Sequence, residues 1–122
     1  MKTLPFIITP KASKKEKNKG CDGLPKGEPP GSKRSKPAEG RKSALGEPRS
    51  NYHPTVKPLK LMSYLITMGS RKGDVVLDPF AGSGTTCVAA KELGRQFIGI
   101  ELDENYFNIA KERIQNTMRS LL

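Results

Sequence analysis

Asp74-Val75-Val76-Leu77-Asp78-Pro79-Phe80-Ala81-Gly82-Ser83-Gly84-Thr85-Thr86, followed ten residues on by Gln96-Phe97-Ile98-Gly99-Ile100-Glu101, is the stretch that decides the fold. The run at 74–78 is short, apolar and β-branched, the pattern of a strand buried on both faces of a parallel sheet. Pro79 to Gly84 make a tight loop. Thr85 to Leu93 reads as a helix, and Gly94 stands where a helix stop favours positive φ. Gln96 to Ile100 reads as a second buried strand that closes on Glu101. The result is a βαβ unit with glycines in its first turn and an acid at the tip of its second strand.

Outward from this unit the pattern continues in both directions. Asp103 is placed to cap a final helix in which Tyr106, Ile109, Ala110, Ile114 and Met118 share a face. Acids come first and Lys111 and Arg113 later, as the helix dipole prefers. Upstream, Pro58 suits a first helical turn, where its missing N–H costs nothing. Leu59, Met62, Leu65, Ile66 and Met68 then recur near helical spacing, and Ser70 to Gly73 end the helix. The order over residues 51–122 is helix, strand, helix, strand, helix.

Residues 1–50 differ in kind. They hold seven of the ten prolines, with thirteen Lys or Arg against five Asp or Glu; residues 51–122 hold nine against seven, within a net charge of +10. Phe6 to Thr9 has the makings of one short strand. Lys11 to Ser50 reads as a linker or flexible loop, because so few large apolar side chains cannot offset its chain entropy. A flexible basic arm suits a polyanion, and nucleic acid is the natural partner. Cys21 and Cys87 form no Cys-x-x-Cys pair, and His53 is the sole histidine, so neither a metal site nor a disulfide framework is expected. Pro5 and Pro10 bracket an apolar patch too short for a signal peptide. No run approaches the roughly twenty apolar residues of a membrane span. A soluble, cytoplasmic protein without membrane association is expected.

The βαβ unit suits a nucleoside-bearing cofactor. Gly82 and Gly84 allow close backbone approach, and Glu101, nineteen positions after Gly82, is placed to accept hydrogen bonds from ribose hydroxyls. The plainer alternative is a turn and a solvated strand end. A dinucleotide fingerprint would want a third glycine where Cys87 stands, and no lysine follows Gly84 as a phosphate-binding P-loop requires. Asp78 can meet an ammonium group, with the apolar face of Phe80 beside it. S-adenosylmethionine offers an ammonium, a ribose and an adenine.

Asp78-Pro79-Phe80-Ala81-Gly82-Ser83-Gly84-Thr85-Thr86, preceded by His53-Pro54-Thr55-Val56-Lys57-Pro58 and followed by Gly99-Ile100-Glu101, resembles the circularly permuted DNA adenine-N6 and cytosine-N4 methyltransferases. Pro10 to Asn18 is similar to a basic stretch found before the His-Pro-Thr motif in some of them. The resemblance implies a partial Rossmann-like α/β methyltransferase fold of about two parallel strands with flanking helices over 51–122. Residues 1–50 would be a basic arm, a remnant of the target-recognition region. It implies S-adenosylmethionine as cofactor, with Phe80, Ala81, Gly82, Ser83, Gly84, Thr85 and Thr86 around the methionine moiety and Asp78 at its amino group. Glu101 would take the ribose, Leu102 the adenine, and Thr55 and Lys57 the carboxylate.

For His53 a loop-ordering hydrogen bond is preferred to any catalytic role. Cys87 reads as a small core residue. Lys11, Lys14, Lys15 and Lys17, with Lys19, Lys33, Arg34 and Lys36, become DNA-phosphate contacts in this context.

One departure matters. The family's catalytic element is Asp, Ser or Asn followed by Pro-Pro and an aromatic, and no such tetrapeptide stands here; Glu28-Pro29-Pro30-Gly31 lacks the aromatic. No catalytic residue is therefore assigned. The expected activity of the intact enzyme is methyl transfer to an exocyclic amine of adenine or cytosine, with this chain binding cofactor only. Truncation is the favoured origin, ahead of half of a split enzyme whose complementary chain carries the motif. The alternative is a non-catalytic DNA-binding or subunit module.

Overall fold

The computed structural model describes residues 9–27 and 50–118. Residues 6–8 of the strand expected at Phe6–Thr9, the 28–49 part of the expected linker, and Lys33, Arg34 and Lys36 lie outside these ranges. The elements run α1 (Lys14–Asn18), α2 (Leu59–Gly69), β1 (Val75–Asp78), α3 (Thr85–Glu92), β2 (Gln96–Gly99) and α4 (Glu104–Gln115). β1 and β2 pair in parallel, Val75 opposite Gln96 through Asp78 opposite Gly99. The two-stranded parallel α/β unit with flanking helices is as the sequence predicts.

Ile66 of α2 and Ala89 and Ala90 of α3 form the buried centre, with Leu59, Met62, Val76, Leu93 and Phe97 packed around it. The helices therefore cover the sheet face that carries Val76 and Phe97. α4 lies on the same side, where Gly84 meets Ala110 and a small apolar cavity separates Phe97 and Gly99 from Phe107 and Ile114. Strand side chains alternate between faces, so Val75, Leu77, Ile98 and Ile100 point the other way, and each is more than half exposed. This corrects the expectation of strands buried on both faces: among the described residues all the helices covering the sheet lie on one side of it.

A buried arginine closes the turns. Arg95 sends Nε to Ser70 Oγ at 3.2 Å, Nη2 to Ser70 O at 2.9 Å and Nη1 to Leu93 O at 2.7 Å. It ties the end of α2 to the turn before β2 and satisfies carbonyls that helix ends leave open. Asp103 caps α4 as expected, accepting the Tyr106 N–H at 3.0 Å. Pro58 sits one place earlier than expected, at the N-cap of α2, with no side-chain bond of its own.

The linker expected from Lys11 to Ser50 is ordered at its start. Ser13 accepts the Glu16 N–H at 3.1 Å and begins α1. Glu16 does not turn back to complete a capping box. Its Oε1 instead accepts the Leu59 N–H at 2.6 Å and supplies the cap that Pro58 cannot. Asn51, fully buried, donates from Nδ2 to Lys17 O at 2.8 Å and from its backbone to Asn18 Oδ1 at 3.1 Å. Asn116 Nδ2 donates to Gly20 O at 2.8 Å, and Cys21 is buried. These bonds reach across more than thirty positions of sequence and are polar, so neither composition nor apolar periodicity signals them.

Candidate functional site

The loop after β1 is folded by its own acids. Asp78 Oδ1 accepts the Phe80 N–H at 3.0 Å, an Asx turn at the strand end. Ala81 N donates to Ile100 O at 2.8 Å, and Glu101 Oε2 accepts the Gly82 N–H at 2.7 Å while Oε1 takes Asp103 N at 2.9 Å. The loop is thus sewn to the end of β2. Gly82 and Gly84 have φ of 55° and 78°, the left-handed region. A Cβ on Gly82 would lie 2.8 Å from His53 Nε2, and one on Gly84 would lie 2.8 Å from Ala110 Cβ. The first glycine admits the histidine and the second admits α4.

His53 is held on three sides. Its Nδ1 accepts the Thr55 N–H at 3.2 Å, its own N–H donates to Asn51 Oδ1 at 3.2 Å, and its ring lies edge-on to Tyr106 with centroids 4.4 Å apart. The bonded Nδ1 requires a neutral ring. Burial holds its pKa below the ordinary 6.5, against the opposing pull of Glu101 and with Arg113 and Lys57 reinforcing it. The loop-ordering role read from the sequence agrees with this geometry.

A cleft of about 670 Å³ opens at the carboxyl ends of the two strands. It brings together Thr55 and Lys57 from the segment before α2, Asp78, Phe80, Ala81, Gly82, Ser83, Thr85 and Thr86 from the end of β1, the loop and the start of α3, and Glu101 from just after β2. His53, Leu61, Met62 and Leu65 complete its walls. Two predicted site residues are not in this wall. Gly84 is buried against Ala110, and Leu102 is fully exposed. Lys11, Lys14 and Lys15 are exposed on or beside α1, and Lys17 is half-buried there.

Sequence reasoning missed two residues around this cleft. Asn51 joins α1 to His53, and Arg113, only 4% exposed, reaches Ser83 and Thr85 from α4. Both are polar side chains on otherwise apolar or turn positions, a signal that becomes legible only with burial known. Cys87 stands behind the cleft, where burial pushes its thiol up to about 11, so it remains a protonated core residue. Among the described residues no group of His, Cys, Asp and Glu is arranged to hold a metal ion. Nor is any helix among them long and apolar enough to cross a membrane.

A glycine loop, a strand-end carboxylate and a ring of hydroxyls around one cleft at the carboxyl ends of parallel strands give the chain the layout of an α/β unit with an open cleft at that edge. The family follows from sequence comparison. The model of the N6/N4 DNA methylase family matches residues 6–112, and the chain belongs to that family. It is 51% identical over 63 residues to the type II methyltransferase M2.DpnII of Streptococcus pneumoniae, covering 52% of this chain and 24% of that protein. Against M.HindIII of Haemophilus influenzae the identity is 54% over 63 residues, 52% of this chain and 20% of that protein.

Among solved structures, a complex of M1.HpyAVI with SAM is 54% identical over 50% of this chain and 30% of its own, with a TM-score of 0.49. The cytosine-N4-specific PvuII DNA methyltransferase is 34% identical over 50% and 22%, also at 0.49. The chain spans between a fifth and a quarter of the length of the curated relatives it matches. It is a fragment-like relative of site-specific DNA N6/N4 methyltransferases.

Proposed function

We propose that this chain is the cofactor-binding part of a DNA methyltransferase that acts on the exocyclic amine of adenine or cytosine. The observation that carries this is the cleft, because its donors and acceptors match the parts of S-adenosylmethionine. Lys57 and the hydroxyls of Thr55, Ser83, Thr85 and Thr86 suit a carboxylate, and Asp78 suits an ammonium. Glu101 suits ribose hydroxyls, for each of its oxygens keeps lone pairs beyond the backbone N–H it already accepts. The apolar surfaces of Phe80, Leu61 and Leu65 adjoin these groups. M1.HpyAVI, 54% identical over the half of this chain that it matches, has been solved as a complex with SAM, which supports the same reading.

When bound, the cofactor would supply an electrophilic methyl group. This chain's residues would fix its position, which is where much of the rate of such a transfer originates. His53, Asn51 and Glu101 act on the loop rather than on a proton in transit. Lys11, Lys14, Lys15 and Lys17 supply a basic surface suited to DNA phosphates, a contact that strengthens binding without specifying sequence.

A second reading, a non-catalytic subunit of a two-chain enzyme, is favoured by two observations. The sequence contains no Asp/Ser/Asn-Pro-Pro-aromatic tetrapeptide, and nothing among the described residues covers the apolar sheet face at Val75, Leu77, Ile98 and Ile100. A complementary chain bearing the tetrapeptide would cover that face. Calorimetric titration of S-adenosylmethionine into the chain tests the main reading. Saturable binding is expected, and it should weaken in Lys57→Ala and Glu101→Gln. A folded chain that takes up no cofactor would refute it. Methylation appearing only on addition of a chain with the tetrapeptide would select the second reading.

A further inference from the structure

Arg113 is an unusual residue to bury. It comes from the last turn of α4, is 4% exposed, and the salt bridge described in this structure, Lys19 to Glu92, does not involve it. Its Nη1 donates to Ser83 O at 2.5 Å, Ser83 Oγ at 3.0 Å and Thr85 Oγ1 at 3.1 Å, and its Nε is buried with no partner among the described residues. A desolvated guanidinium without a carboxylate is costly unless its hydrogen bonds serve some purpose. Here three converge on the underside of the glycine loop, on two residues whose other side lines the cleft.

The polarity of these bonds has a consequence. A guanidinium is donor only, so Ser83 Oγ and Thr85 Oγ1 can meet it only as acceptors. Each hydroxyl proton must then turn away from Arg113 toward another acceptor. Both residues face the cleft, and the positive charge behind them favours an anionic group there. Asp78 and Glu101, the acids of the cleft, are partly engaged with the N–H groups of Phe80, Gly82 and Asp103. The Ser83–Thr85 side of the cleft therefore presents donors to the ligand, and Lys57 and Thr55 present more.

We infer that Arg113 is a positioning residue that fixes the Ser83 and Thr85 hydroxyls as donors to the carboxylate end of the bound cofactor. This rests on the proposed cofactor reading and adds to it a residue that never touches the ligand. The expectation is selectivity for the carboxylate rather than affinity alone. Each hydrogen bond from a fixed hydroxyl to a charged carboxylate is worth about tenfold or more in binding.

The test compares S-adenosylmethionine with its decarboxylated analogue by calorimetry on the full chain, with circular dichroism to confirm folding of each variant. The unsubstituted chain should prefer S-adenosylmethionine by about tenfold or more. Arg113→Met should lower that ratio severalfold, leaving the part owed to Lys57 and Thr55, and Arg113→Lys should restore part of the loss. Ser83→Ala with Thr85→Val, which keeps Arg113, should lower the ratio as Arg113→Met does, so the inference stays testable if Arg113→Met does not fold. A folded Arg113→Met or Ser83→Ala/Thr85→Val chain with an unchanged ratio would overturn the inference and leave the cofactor reading intact. Equal binding of the two compounds by the unsubstituted chain would overturn it in the same way. Binding of neither compound by the folded unsubstituted chain would instead refute the cofactor reading, and the inference with it.

Discussion

Substituting Gly84 by alanine separates two costs that usually arrive together. Gly84 holds φ at 78°, and a Cβ there would lie 2.8 Å from Ala110 Cβ and 3.1 Å from Ala110 Cα. The left-handed conformation costs an L-residue about 1–2 kcal/mol. Forcing a methyl into occupied space adds about 1–3 kcal/mol, so Gly84→Ala should cost about 2–5 kcal/mol in all. Gly94 is the control, with φ at 72° and nothing within 4 Å of its added Cβ. Gly94→Ala should cost only the first amount, about 1–2 kcal/mol.

A small domain holds roughly 5–15 kcal/mol of stability, so the first change is severe and the second tolerable. Urea unfolding followed by circular dichroism gives both values from midpoints at constant m. Adding Ala110→Gly to Gly84→Ala removes the nearer of the two clashing atoms and should recover part of the difference. Equal costs for Gly84→Ala and Gly94→Ala, within about 0.5 kcal/mol, would refute the claim that contact with α4 demands the second glycine.

His53 and Asn51 give two further outcomes. Burial lowers the His53 pKa from 6.5, so the unfolded chain takes up the proton first. The stabilisation is therefore complete above about pH 6.5 and is lost as pH falls through the lower folded value. Urea midpoints should decline on acidification in this window, and less so in His53→Phe; an identical decline in the variant would assign the effect elsewhere. Asn51→Ala strips partners from Lys17 O, from His53 N and, through the displaced backbone, from Asn18 Oδ1. A loss of about 2–3 kcal/mol is expected, with amide exchange rising at both residues 14–18 and 53–55. Faster exchange confined to one of these segments would show that Asn51 does not join them.

The main chain of the site was legible in the sequence for a local reason. A β-branched run, a loop with two glycines, a helix and a second run ending in an acid each depend on neighbours within a few positions, and β1, α3 and β2 follow that reading within a residue or two. α4 ends at Gln115, short of Met118, which is expected on its apolar face and is exposed instead. Asp103 as a cap, and Asp78, Phe80 and Glu101 as residues of one cleft, belong to this class, whereas Thr55, Lys57 and Ser83 entered through the family resemblance.

What tertiary structure alone decided is set by contacts between distant positions. Glu16 caps a helix that begins 43 residues later, Asn51 binds α1 across 33 and 34, and Arg113 reaches back 30 and 28 to the glycine loop. Each of these side chains reads as solvated surface in sequence, because charge and polarity say nothing of burial until a partner is brought opposite. The exposed sheet face reverses the same logic. Val75, Leu77, Ile98 and Ile100 have the composition of a doubly buried strand pair, but helices pack on one side only among the described residues, and apolarity by itself cannot supply the second layer.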